Sequence, residues 1–154
     1  MKTKLALLAV TILVGFSSTS ASATTSALAA DAKVKAGPRK GLLLDLGGKQ
    51  AEFFVEKDRS ISIAVYDAAL KAQPASTEVI TATAEAPSGK VKIEFEKKGD
   101  LLVSKTKLPE GEGYQVVLQA KSTPDAKTKN FRIKLQTHTC KGCGNAEYAC
   151  TCDE

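Results

Sequence analysis

From Gly41 onward, apolar and polar residues alternate along most of the chain. Leu42 to Leu46 is a short apolar run closed by Gly47-Gly48. Gln50 to Glu56 sets Ala51, Phe53 and Val55 against Glu52, Phe54 and Glu56, with Phe54 breaking the pattern. Ser60 to Tyr66 places Ile61, Ile63 and Val65 on one side. A period of two puts one face of a strand on a core and the other towards water. Thr77 to Ala86 is rich in β-branched residues and ends at the turn Pro87-Ser88-Gly89. Val91, Ile93 and Phe95 alternate with Lys92, Glu94 and Glu96, the clearest strand of the chain. Leu101 to Lys105 is a short strand. Tyr114, Val116, Leu118 and Ala120 alternate with Gln115, Val117 and Gln119, and Phe131, Ile133 and Leu135 with Arg132, Lys134 and Gln136. The connection from Asp67 to Ser76 has room for one helical turn.

These are about eight short strands, separated by Gly, Pro and Asp turns at spacings of about 8 to 13 residues. Such spacing predicts an all-β fold: an antiparallel, immunoglobulin-like β-sandwich of about 7–8 strands, with a small β-barrel as second choice. The absence of Trp and of a Cys-Trp-Cys pattern excludes an antibody-type domain. Phe53, Phe95 and Phe131 are expected in the core. Phe54 is expected to pack under a loop or, alternatively, to mark a partner surface.

The N-terminus changes the picture of where the protein works. Lys2 and Lys4 precede an uncharged, mostly apolar run from Leu5 to Phe16, and Ala21-Ser22-Ala23 follows as an A-x-A pattern. This is the form of a secretory signal peptide over residues 1–23, with a second candidate cut after Ala27-Leu28-Ala29. The apolar run is short for an uncleaved membrane anchor. Residues 24–40, rich in Ala, Thr and Ser, read as a flexible lead-in. The domain then covers 41–137, and the protein is expected in the periplasm or outside the cell.

Net charge adds little. The 154 residues carry +5, and without Lys2 and Lys4 20 basic side chains face 17 acidic ones, a net +3. That balance, with Lys97, Lys98, Lys121, Lys127 and Lys129 scattered and no aromatics between them, gives no nucleic-acid surface. With one histidine near the chain end, a Ser-His-Asp triad is not expected, and paired catalytic carboxylates cannot be assigned. No enzymatic activity is expected.

Candidate chemistry is confined to residues 138–154, which hold all four cysteines and the only histidine. Cys140 and Cys143 form a C-x-x-C turn with Gly144 directly after it, and six residues on Cys150 and Cys152 form C-x-C. A C-x-x-C turn aims two thiolates at one ion, and the glycine lets backbone N–H groups approach the sulfurs. Cys150 and Cys152 would complete the tetrahedral four-cysteine set that structural zinc prefers. If the last strand continues past Leu135, His138 and Cys140 share its outer side, so three cysteines plus His138 form an alternative ligand set. Four thiolates on Zn(II) carry a net charge of −2, which Arg132, Lys134 and Lys141 are placed to offset. Soft sulfur ligands also suit Cu(I), a less favoured choice.

Export leaves a rival reading open, in which two disulfides staple the tail of a structural or interaction module. A C-x-C disulfide would be strained, which favours the crossed or nested pairings. A redox-active thiol pair is the third reading, without the βαβ context that such a motif has in thioredoxins. Expected partners are a metal ion and another exported protein, without nucleic acid and without a stable membrane anchor.

Three stretches carry a resemblance: Ala51-Glu-Phe-Phe-Val-Glu-Lys-Asp-Arg59, Phe95-Glu-Lys-Lys-Gly-Asp100, and the tail from His138-Thr-Cys140 to Cys150-Thr-Cys152. Together the chain resembles, over roughly residues 38 to 154, exported bacterial proteins of uncharacterised activity with one β-rich domain and a cysteine-rich end. More distantly it is similar to small periplasmic β-domains associated with heavy-metal efflux, but lacks their His-rich metal motifs. The resemblance implies export and a β fold and supplies no activity.

Overall fold

The computed structural model describes residues 33–152. The expected signal peptide lies outside the described residues. Among the described residues nine antiparallel strands form the fold: β1 (Leu42–Asp45), β2 (Lys49–Val55), β3 (Ile61–Asp67), β4 (Ala72–Gln73), β5 (Val79–Ala86), β6 (Gly89–Lys98), β7 (Leu101–Ser104), β8 (Gln115–Lys121) and β9 (Lys129–Lys134). The expected all-β, antiparallel class is therefore present. All eight expected strands appear, and the connection after β3 adds β4, which pairs Gln73 with Val65.

The strands follow one path, β1-β2-β3-β7-β6-β5-β8-β9. β6 turns the corner. Its first part pairs with β5, from Gly89 opposite Ala86 to Glu94 opposite Thr81. Its last four residues pair with β7, from Phe95 opposite Ser104 to Lys98 opposite Leu101. A long strand that changes partner midway lets a sheet fold over its own core. The end strands then meet, nearly closing the sheet into a barrel. Lys129 Nζ, on β9, donates to the Asp45 carbonyl on β1 at 3.0 Å and pairs with the Asp45 carboxylate at 3.5 Å.

Alternation decides what lies inside. Ala51, Phe53, Ile61, Ile63, Ile93, Val116 and Leu118 are fully or almost fully buried, and Phe95 and Phe131 pack partly buried against them. β2 and β3 depart from simple amphipathicity, because their outer face is covered too. Glu52 is fully buried there. Its Oε1 accepts the Arg39 and Gly41 N–H groups at 2.9 and 2.8 Å, and its Oε2 accepts the Tyr66 hydroxyl at 2.7 Å. The Arg39 guanidinium donates to Ser62 Oγ and Glu56 Oε1 and lies 4.7 Å from the Phe54 ring. Phe54 thus packs under the chain before β1. That segment is bonded to β1 as well, since Leu43 N–H reaches the Lys35 carbonyl at 2.8 Å. No helix among the described residues is long and apolar enough to cross a membrane.

Candidate metal centre

Beyond β9 the chain stays extended and then folds back on itself. Leu135 N–H donates to the Tyr114 carbonyl at 2.8 Å, keeping the segment beside β8. Three bonds zip the returning arm: Tyr148 N–H to Gln136 O, Glu147 N–H to His138 O, and Cys140 N–H to Asn145 O, at 3.1, 2.9 and 2.8 Å. The tip of this hairpin is Cys140 to Asn145, closed by Gly144 N–H on the Cys140 carbonyl at 2.9 Å. Gly144 has φ +71°, a left-handed conformation that suits glycine. A single 3₁₀ turn, Glu147–Ala149, then reverses the chain and brings Cys150 and Cys152 back to the tip.

The four sulfurs converge. Cys140 and Cys150 Sγ are 3.2 Å apart, Cys140 and Cys152 3.7 Å, Cys143 and Cys150 3.8 Å. All four lie within 4.8 Å of one another. Zinc–sulfur bonds of about 2.3 Å in a tetrahedron put sulfurs about 3.8 Å apart, close to these separations. A disulfide needs about 2.05 Å, and all four thiols are free. The cluster has the size and ligand type to hold one metal ion.

Gly142 makes this convergence possible. A Cβ there would stand 2.5 Å from Cys152 Sγ, so any other residue would displace that sulfur. Sequence spacing drew attention to Gly144, whereas the glycine inside the C-x-x-C is the one the sulfur touches.

Without an ion the thiols differ. Backbone hydrogen bonds from Thr151 and Asn145 hold the Cys143 thiol down at about 6, against the opposing effect of burial. Neighbouring Cys140, Cys150 and Cys143 push Cys152 up to about 12. At Cys150 the Cys152 N–H favours the thiolate, but hydrogen bonds with Cys140, burial and Cys143 outweigh it and raise the thiol. Crowded thiolates resist ionising together, and a cation among them removes that penalty.

His138 stands outside the sulfur group. Its Nδ1 is 3.5 Å from Glu112 Oε2 and its Nε2 3.8 Å from Glu147 Oε2. Glu112 also accepts the Thr137 N–H at 3.1 Å and the Thr137 hydroxyl. These bonds, the Thr137 hydroxyl foremost, hold its carboxyl below the ordinary 4.5. The loop carrying Glu112 is itself fixed by Arg59, whose guanidinium donates to the carbonyls of Leu108, Pro109 and Gly111. His138 thus lies between Glu112 of the domain and Glu147 of the tail.

Tyr148 joins the cluster to the core. It is 7% exposed, and its hydroxyl accepts the Val55 N–H at 3.0 Å. Its ring meets Phe53 edge-on, with centroids 5.5 Å apart. Ala149 beside it is fully buried. Sequence reasoning passed over this anchor. The signal was an aromatic–alanine pair between Cys143 and Cys150 in an otherwise polar tail.

No protein-family model matches the chain, and comparisons with curated proteins and with solved structures found no match.

Proposed function

We propose that the chain is an exported, non-enzymatic β-domain whose C-terminal knuckle binds one soft metal ion, zinc, as a structural clasp. The observation that carries this is the convergence of four cysteine sulfurs within 4.8 Å of one another. Two of the separations, 3.7 and 3.8 Å, suit a zinc tetrahedron with no position left open. A closed thiolate set suits a structural ion and gives no coordination site to a substrate. The ion's work is mechanical. It ties the Cys140–Cys143 turn to the Cys150–Cys152 segment, and the residues between them carry Tyr148 into the core. The near-closed sheet suits the small-barrel form of the fold better than the immunoglobulin-like sandwich. The signal-like N-terminus supports export to the periplasm or beyond.

Native and denatured mass of the mature protein, isolated anaerobically without chelator, tests this reading. One zinc in the native mass only, four free thiols and a start after Ala23 are expected. A metal-free native mass would refute the clasp, and a retained N-terminus would refute export.

A further inference from the structure

The sulfurs face each other in two pairs across the tail. Cys140 is 3.7 Å from Cys152, and Cys143 is 3.8 Å from Cys150. The pairs are nested in sequence. Closing both would require neither a C-x-C nor a C-x-x-C bond, and each bond would tie the same two segments that an ion ties. Exposure is uneven: Cys152 is exposed, whereas Cys140, Cys143 and Cys150 are half-buried. An oxidant from solvent therefore meets Cys152 first.

We infer that the knuckle is an oxidative modification site, at which a hydroperoxide converts the thiolate cluster into two nested disulfides, Cys140–Cys152 and Cys143–Cys150. The ion leaves while Tyr148 stays docked. This deepens the metal reading and rests on it for the ionised Cys152 sulfur and for the release step. Cys152, whose proton is lost when its sulfur ligates the ion, attacks a peroxide oxygen as thiolate, the O–O bond breaks, and hydroxide departs, leaving a sulfenic acid. The Cys140 thiolate then attacks that sulfur, the S–S bond forms, the S–O bond breaks, and a second hydroxide departs. Cys143 and Cys150 consume a second peroxide in the same way. Four thiolates lose four electrons to about two peroxides, and the hydroxides take up protons as water. The ion, left without anionic ligands, dissociates. The 3.2 Å contact between Cys140 and Cys150 defines the competing crossed pairing, but neither of those sulfurs is the exposed one.

The test loads the reduced protein with one zinc and adds hydrogen peroxide stepwise beside a chromogenic chelator. Zinc release and thiol loss are expected to finish near two peroxides per chain, with the denatured mass lower by about four hydrogens. Cleavage after Lys141 and fragmentation between Cys150 and Cys152 should join Cys140 to Cys152 and Cys143 to Cys150. The near-UV signal of Tyr148 should survive, and a thiol reductant should restore zinc uptake. A Cys140–Cys150 bond, bonds between chains, or oxygen retained on sulfur would overturn the inference. The same titration of zinc-free reduced protein separates the two readings. Failure to take up zinc sinks the metal reading alone, while nested pairing in that sample still upholds the disulfide geometry. A Cys143→Ser/Cys150→Ser variant should close one disulfide with about one peroxide, and failure to close it would overturn the first pair.

Discussion

At the scale of single residues, two positions outside the ligand set decide whether the cluster can form. Gly142 yields its side-chain space to Cys152 Sγ, which a Cβ would approach to 2.5 Å. Gly142→Ala is expected to weaken zinc binding by about tenfold or more, as perturbing the shell around metal ligands commonly does. Competition against a chelator of known affinity measures it, with Lys97→Ala, an exposed position on β6, as the control that leaves affinity unchanged. Tyr148 is the second position. Tyr148→Phe removes the acceptor of the Val55 N–H and should cost about 1 kcal/mol in urea denaturation of the zinc-loaded protein. Tyr148→Ala also removes the ring against Phe53 and should cost about 3 to 5 kcal/mol. Equal costs for the two variants would show that the ring is not held in the core.

At the scale of elements, the strands could be read from alternation because one face of each meets the core, as Val116, Leu118 and Ala120 show. β4 could not be, since its two residues carry no period and exist only because β3 offers an open side. The cover over β2 and β3 was also hidden. Glu52 reads as a solvent-facing residue, yet it is fully buried under the segment that carries Arg39 and Gly41. Nothing local marks a carboxylate whose partners come from a separate turn. Burial and the Glu52 carboxylate push the Tyr66 hydroxyl up to about 12, so it remains the donor to Glu52 at ordinary pH. Glu52→Ala would strand three donors and should cost about 3 to 5 kcal/mol, a large share of a small domain's stability. Glu78 offers a pH test. Burial opposes its ionisation, but Lys49 at 2.6 Å and the Ser76 N–H outweigh this and hold the carboxyl below 4.5. A depressed carboxyl stabilises the fold above its unfolded value and loses that contribution as pH falls through its folded value. Between pH 6 and 3, wild-type stability should therefore fall more steeply than that of Glu78→Gln in parallel urea titrations. Equal slopes would remove Glu78 from the account.

At the scale of the whole molecule, β9 and the tail that follows it are tied back to the first two strands at two places, by different means. At one, Lys129 of β9 joins Asp45 of β1 directly. At the other, the tail leaves β9, folds over its cysteine tip, and sets Tyr148 against Phe53 and Val55 of β2. The cysteines' nearness to one another was legible from their clustering, because close spacing in sequence leaves few ways to keep them apart. Their coupling to the core through Tyr148 was not, because that contact spans most of the chain. Removing zinc from the reduced protein should lower the melting temperature and flatten the near-UV tyrosine signal. Acid should do the same, as protons displace the ion from its thiolates. The most direct measurement is zinc K-edge X-ray absorption of the protein carrying one zinc. The clasp requires a first shell of four sulfurs at about 2.3 Å. A nitrogen or oxygen in that shell, as His138 ligation would give, or a protein unable to hold one zinc, would contradict it.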